Sequence, residues 1–326
     1  MRVYVVLLNW NGWRDTIECL ESLRASGGVG FTAVVCDNDS GDGSLDALIT
    51  WAGNTTPARE FAVLDRSAVD QGESLSPTVR LAIVRNGGNL GFAGGNNVGL
   101  RLAMNDPTCR YMWLLNNDTV VAPSALSEAV TRADADPTIG LCGSTLVYYH
   151  DRGSVQAFGG ARFNRCTGRS RHVGAFASTE SIPADPQRTE QAMSYVIGAA
   201  MLVRREYIEQ VGMMQDDYFL YYEEIDWATR GKSQFRLGYA PASIVYHKEG
   251  ASIGTTASGG SALSMYFLFR NRIRFTARFH AWMLPMVVVT CCWDVFKLLA
   301  KGRMTAANAA LRGMLMRPRT AVSTRA

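Results

Sequence analysis

Glu223, Glu224 and Asp226 fall within four residues of one another, directly after the aromatic run Tyr218-Phe219-Leu220-Tyr221-Tyr222. Crowded carboxylates raise one another's pKa, which suits a general base working near neutrality. On a helix the adjacent Glu223 and Glu224 point about 100° apart, so one can be held structurally while the other faces a cavity. A capped, salt-bridged helix start is the competing reading, and it accounts for Asp226 and Arg230 as an i,i+4 pair. His247 closes an apolar run and precedes Lys248. A single histidine is more often a satisfied structural residue than a ligand. If it shares a crevice with Asp118, however, imidazole, carboxylate and diphosphate oxygens together make a reasonable Mg²⁺ or Mn²⁺ site.

These side chains need a scaffold that brings them together. Val3 to Asn9, Phe31 to Cys36 and Tyr111 to Leu115 read as buried strands that end at the polar Asn9, Asp37 and Asn116; helical patterns follow the first and third, and a carboxylate-rich turn cluster, Asp37 to Gly43, follows the second. Val79 to Val84 is a further strand candidate, and the polar stretch from Asn54 to Thr78 reads as a loop or insertion. Alternating strands and helices predict an α/β domain with a mostly parallel sheet covered on both faces. Ligands in such sheets sit beyond the carboxyl ends of the strands, so Asn9, Asp37 and Asn116-Asn117-Asp118 are placed to share one crevice. The segment Asn89-Leu90-Gly91-Phe92-Ala93-Gly94-Gly95-Asn96-Asn97 lets backbone approach a ligand, with amides at a helix start facing phosphate; a plain glycine turn carries equal weight. It lacks a Walker lysine, which argues against a P-loop.

Downstream, Ile139 to Tyr149 and Val155 to Phe163 read as strands or a hairpin, Asn164 to Gln191 as a mobile loop, and Leu237 to Tyr246 as a strand. Gly198, Ala199 and Ala200 form the small-residue centre of the apolar run Tyr195 to Val203.

At 326 residues, with 19% charged and 47% apolar side chains, the chain is long enough for a substantial core and is not disordered. Its formal charge of +4 conceals an asymmetry. Residues 266–326 carry nine Arg and two Lys against Asp294, or +10, leaving −6 on residues 1–265. The expected organisation is therefore a catalytic domain over 1–265 and a basic, apolar helical appendage over 266–326 that meets something anionic. Seven scattered cysteines without C-x-x-C spacing indicate neither a disulfide framework nor a zinc knuckle, and a reducing compartment is the default. Ala281 to Trp293 is apolar for thirteen residues, which fits a buried or interfacial segment better than a membrane span.

The order of these motifs resembles the family 2 glycosyltransferases, and more narrowly their rhamnosyltransferase-like branch with a GT-A fold. The matching pieces are Val5 to Gly12, Val35 to Ser40, Asn89 to Asn97, Leu115 to Asp118 and Tyr218 to Trp227, with His247 later. The resemblance implies an inverting transferase in which Glu224 is the catalytic base and Asp118 with His247 holds Mg²⁺ or Mn²⁺. Asp37 would contact the nucleotide's base or ribose, and Asn9, Asn89, Gly91, Phe92, Gly95, Asn96 and Asn117 would surround the nucleotide sugar. Gly198, Ala199, Glu223, Asp226 and Trp227 would lie on the acceptor side or support the base. Two positions depart from the family pattern: Asn116 stands where an Asp-x-Asp motif has its first carboxylate, and Glu224 where the base is often Asp.

The implied partners are a nucleotide-diphosphate sugar, with dTDP-rhamnose the first choice, and a glycan or lipid-diphosphate-linked acceptor. The implied location is the cytoplasmic, inner face of the cell membrane, touched through the C-terminal region, with no nucleic acid bound. Two rivals stay open at this level: a sugar nucleotidyltransferase, and a non-catalytic nucleic-acid or membrane-binding protein led by Arg270, Arg272, Arg274 and Arg278.

Overall fold

The computed structural model describes residues 2–248 and 261–316. Its strands are β1 (Arg2–Asn9), β2 (Phe31–Asp37), β3 (Phe61–Asp65), β4 (Leu81–Arg85), β5 (Cys109–Asn116), β6 (Thr119–Val121), β7 (Ile139–Tyr148), β8 (Val155–Phe158), β9 (Gly160–Asn164), β10 (Arg169–His172), β11 (Tyr195–Val196), β12 (Ala200–Arg204) and β13 (Arg236–His247). The large sheet runs β3, β4, β2, β1, β5, β12, β7, β13, β6, with β8 paired to β7. Strands β1, β2, β3, β4 and β5 pair in parallel, as do β7 and β13, whereas β12 is antiparallel to both its neighbours. The sheet is thus mixed and mostly parallel, flanked by helices and followed by C-terminal helices, as the sequence predicts.

Both faces of the sheet are covered, which is why its central strands are continuous apolar runs rather than alternating ones. On β1, Val3, Val5 and Leu7 pack into one layer with Leu20, Leu23 and Leu126. Tyr4 and Val6 face the other layer, with Val98, Leu102 and Trp227. Each such fully buried side chain contributes about 1.5–3 kcal/mol. The register sets Asn9 beside Asp37 and Leu8 beside Asn116, so the polar ends of β2, β1 and β5 share one edge.

Two segments expected as loops contain strands. Within 54–78, β3 pairs only with β4 at the sheet edge, and its apolar run Phe61-Ala62-Val63-Leu64, half-buried except at Val63, is short and flanked by polar residues that hid it. Within 164–191, Arg-Ser-Arg-His forms β10 of a small sheet ordered β10, β9, β11, and Gln187–Ala192 is helical. The run Tyr195 to Val203 divides between the two sheets, with a break at Ile197-Gly198-Ala199.

Among the described residues three α-helices follow β13: Ala262–Phe279, Leu284–Ala300 and Met304–Met314. The boundary drawn at 265 falls inside the first, whose Phe275 is buried with Tyr218 and Tyr222 of the body. Three of its arginines pair with groups of the body or the following helix, and only Arg272 is buried among them. Arg272 bonds Thr167 O and Asp294, Arg274 pairs with Asp217, and Arg278 with Asp226. The apolar segment does not stop at Asp294, because Arg169 and Arg272 neutralise that carboxylate and the helix continues to Ala300. Ala281–Ala300 is consequently long and apolar enough, by length and composition, to cross a membrane.

Candidate active site

The edge formed by β1, β2 and β5 opens into a cavity of about 290 Å³. Asn116, Asn117, Asp118 and His247 line one side, Glu223 and Glu224 another, and Asn89, Gly91, Phe92 and Ala199 also reach it. Residues more than a hundred positions apart therefore meet because β5, β13 and the helix Glu223–Gly231 converge there.

Glu224 is half-buried, and its Oε1 accepts the Gly198 N–H at 3.1 Å. A Cβ at Gly198 would stand 2.8 Å from that oxygen and 2.9 Å from the Phe92 ring, so only glycine leaves room for this contact. Burial raises the Glu224 pKa, with the Gly198 amide opposing. Glu223 is buried with its Oε2 unpartnered among the described residues. Burial and then the neighbouring Glu224 charge push it well above the carboxylate range.

The segment that delivers both acids is strained. Phe219, Tyr221 and Tyr222 hold φ values of 67°, 67° and 76°, left-handed conformations that cost on the order of 1–3 kcal/mol each for such residues. Asn271, from the first C-terminal helix, holds the segment in place: its Nδ2 donates to the carbonyls of Tyr218 (2.8 Å), Leu220 (2.7 Å) and Tyr221 (3.1 Å). Gly91, at φ 72°, lies so close to the Phe219 carbonyl that a side chain there would collide with it.

Asp118 Oδ1 lies 3.2 Å from His247 Nε2, and both residues are buried. Burial pushes the Asp118 carboxyl up, but His247 and Lys248 outweigh it and hold it below its ordinary value. On the other side of the imidazole, Gln156 Oε1 accepts from Nδ1 at 2.9 Å. That bond fixes the ring with Nε2 turned toward the carboxylate, the orientation typical of metal-ligating histidines, whose second nitrogen is held by an outer partner. Asn116 Nδ2 is 3.4 Å from the same Nε2, so its amide borders the position. Among the described residues no group of three or more His, Cys, Asp or Glu could hold a metal ion. Asp118 and His247 would therefore supply only two ligands to a divalent ion, the rest having to come from diphosphate oxygens or water. Lys248, bonded to Asp15 and Glu18 at 2.6 Å each, pins this end of β13 to the helix Trp13–Arg24.

The remaining expected site residues lie outside the cavity lining. Asn9 Nδ2 donates to Asp37 Oδ1 at 2.8 Å, and Asp37 also accepts from the Ser40 hydroxyl and amide, bonds that tie the ends of β1 and β2 together. Gly95 packs on Leu8, and Asn96 Nδ2 returns to Phe92 O. Three amides at the helix start after Asn89 have protein acceptors: Leu90 N bonds Asn38, Gly91 N bonds Asn89 and Phe92 N bonds Phe219 O, so these three do not face phosphate. Asp226, fully buried, pairs with Arg230 at 2.7 Å and Arg278 at 3.0 Å, and Trp227 is a core residue bonded to Gly212 O. The i,i+4 reading of Asp226 and Arg230 is therefore the one the structure bears out.

The family model for glycosyl transferase family 2 matches residues 4–212, close to two-thirds of the sequence. The chain belongs to glycosyl transferase family 2. A low-salt glycan biosynthesis hexosyltransferase of Haloferax volcanii is 22% identical over 221 residues, 65% of this chain and 66% of the relative. An N-acetylglucosaminyl-diphospho-decaprenol L-rhamnosyltransferase of Mycobacterium tuberculosis is 34% identical over 67 residues, 20% of this chain and 22% of the relative. The matches thus span just under two-thirds of the first relative and about a fifth of the second. Among solved structures, a Pyrobaculum calidifontis mannosyltransferase in complex with GDP-Man and Mn²⁺ superposes with a TM-score of 0.56 at 16% identity, over 97% of this chain and 88% of that one. S. aureus TarS 1–349 in complex with UDP-GlcNAc gives 0.52 at 12%, over 96% and 82%. At such identities these likenesses establish the GT-A type of fold for this family 2 chain.

Asn38, Gln156 and Asn271 escaped the sequence reading. Asn38 Oδ1 accepts from Asn86 and Leu90 while its Nδ2 donates to Asn89 and Gly91, knitting the cavity wall. A lone glutamine inside the apolar strand β8 was the signal available for Gln156.

Proposed function

We propose that this chain is an inverting, divalent-metal-dependent glycosyltransferase. It moves a sugar, with rhamnose from dTDP-rhamnose the first choice, to a hydroxyl of a cell-envelope glycan or lipid-linked acceptor at the inner face of the cell membrane. The observation that carries this reading is a half-buried carboxylate of raised pKa, Glu224, on the wall of the cavity that also holds the Asp118 and His247 pair. The names of the relatives, a hexosyltransferase and a rhamnosyltransferase, and the nucleotide sugars and Mn²⁺ in the structural neighbours support it.

The donor lies over the ends of β1 and β5, against Asn38, Asn89 and Phe92. Glu224 takes the proton of the acceptor hydroxyl, an assistance worth about 10²–10⁴-fold. The hydroxyl oxygen then bonds the anomeric carbon on the face opposite the departing diphosphate. Asp118 and His247 hold the divalent ion, with Gln156 fixing the imidazole. When bound, that ion offsets charge on the diphosphate, a Lewis-acid contribution of several kcal/mol. A thermal-shift screen of nucleotide sugars with Mn²⁺ and Mg²⁺ tests the reading: dTDP-rhamnose is expected to stabilise most, and stabilisation by nucleoside triphosphates alone would contradict it in favour of nucleotidyl transfer.

A further inference from the structure

Glu224 and Tyr221 line a second cavity as well, of about 500 Å³, bounded by β10, the segment around Tyr222 and the first two C-terminal helices. Five basic side chains reach its wall: Arg169, Arg272, Lys297, Lys301 and Arg303. The acids there are Glu224 and Asp294, and Asp294 is already shared by Arg169, Arg272 and Lys297. Even without Arg303, four basic side chains face two acids, so positive charge is in excess, and Lys301 forms no ion pair among the described residues. Met265, Leu268, Phe269 and Leu298 make the rest of the wall apolar.

The helix Leu284–Ala300 extends this polarity outward. Val287, Cys291 and Val295 are buried against the neighbouring helices. Asp294, Lys297 and Leu298 face the cavity. On the adjoining face Met286, Val289, Trp293 and Phe296 are exposed, at spacings of three and four residues that form one stripe. A basic pocket that starts at the catalytic carboxylate and opens beside an apolar stripe matches a ligand with sugar, phosphate and hydrocarbon in that order. Cations in excess meet phosphate through charge-assisted hydrogen bonds, and the stripe offers hydrocarbon a surface out of water.

We propose that this second cavity is an acceptor subsite for an amphiphilic sugar diphosphate. Its phosphates rest against Lys297, Lys301 and Arg303, its sugar hydroxyl reaches Glu224, and its hydrocarbon chain follows Met286, Val289, Trp293 and Phe296. The assignment rests on the glycosyltransferase reading above. In the transfer, the acceptor O–H bond breaks and its proton goes to Glu224. The oxygen–anomeric carbon bond forms, and the bond from that carbon to the donor diphosphate breaks with its electron pair leaving on the diphosphate oxygen.

The test is equilibrium binding of farnesyl diphosphate, inorganic diphosphate and farnesol to the full-length chain, with dTDP-rhamnose binding measured in parallel. Farnesyl diphosphate should bind at least about tenfold more tightly than either fragment, and the K301E/R303E double variant should lose about tenfold or more of that affinity while keeping its nucleotide-sugar affinity. Lys301→Gln, the milder change, should lose part of it in the same direction. Unchanged farnesyl diphosphate binding in these variants, or farnesol or inorganic diphosphate binding as tightly as farnesyl diphosphate, would overturn the subsite. Farnesyl diphosphate bound as expected with no nucleotide sugar bound would instead overturn the glycosyltransferase reading and leave the amphiphile site in place.

Discussion

Gly198 donates its backbone N–H to Glu224 Oε1 at 3.1 Å and has no room for a side chain of its own. The break between β11 and β12 therefore serves as the seat of the proposed base. Gly198→Ala should push the carboxylate aside by a fraction of an ångström or more. A displacement approaching 1 Å costs about 10²-fold in turnover. Steady-state kinetics should show that loss in kcat, with donor affinity little changed. Wild-type kcat in this variant would remove Gly198 from any positioning role.

Asn271 holds the strained segment Tyr218 to Tyr222 through three carbonyls, although it lies in a helix that the charge pattern assigns to a peripheral appendage. Asn271→Ala leaves buried carbonyls unpaired, at about 1–3 kcal/mol of stability, and frees Glu224 to move. Both a lower Tm and a kcat loss larger than the change in donor affinity are expected. A lower Tm with full kcat would make Asn271 structural only.

What the sequence displayed, and what it hid, follows from how each residue is held. Central strands announced themselves because burial on both faces demands unbroken apolar runs, and the polar ends Asn9, Asp37 and Asn116 marked the crevice edge. The same pattern could not separate a polar strand end that lines the cavity, such as Asn116, from ends that bond each other, such as Asn9 and Asp37. Edge strand β3 is a short apolar run, Phe61 to Leu64, masked by the polar residues on either side, and the polar β10 has too little buried surface to leave a signal. The +10 of the C-terminal region was legible as a sum, but the pairing of Arg274 and Arg278 depends on Asp217 and Asp226, acids far away in sequence.

The Asp118 and His247 pair predicts a requirement for divalent metal. EDTA should abolish transfer and Mn²⁺ or Mg²⁺ should restore it. Asp118→Asn, which keeps the shape but not the charge, should raise the metal concentration for half-maximal activity by about tenfold or more, in line with losing one charged ligand. Transfer that is indifferent to chelation would rule out the metal role for these two residues.

Glu223 gives a stability signature. Its folded pKa lies well above the unfolded value of about 4.3. Protonated Glu223 thus contributes stability in full below that pH, and the contribution is lost as pH rises through the folded value. Glu223→Gln does not titrate, so the Tm of the variant relative to wild type should rise between pH 4 and pH 7. A Tm difference that is flat across that range would contradict the burial of an unpaired carboxyl at this position.

The central claim is that Glu224 removes the acceptor proton in a sugar transfer. The most direct measurement is the turnover of Glu224→Gln against wild type, with dTDP-rhamnose and a lipid-diphosphate sugar acceptor, beside donor affinity for both proteins. Loss of about 10²–10⁴-fold in kcat with donor affinity retained is the expected result. Near wild-type transfer by Glu224→Gln would contradict it.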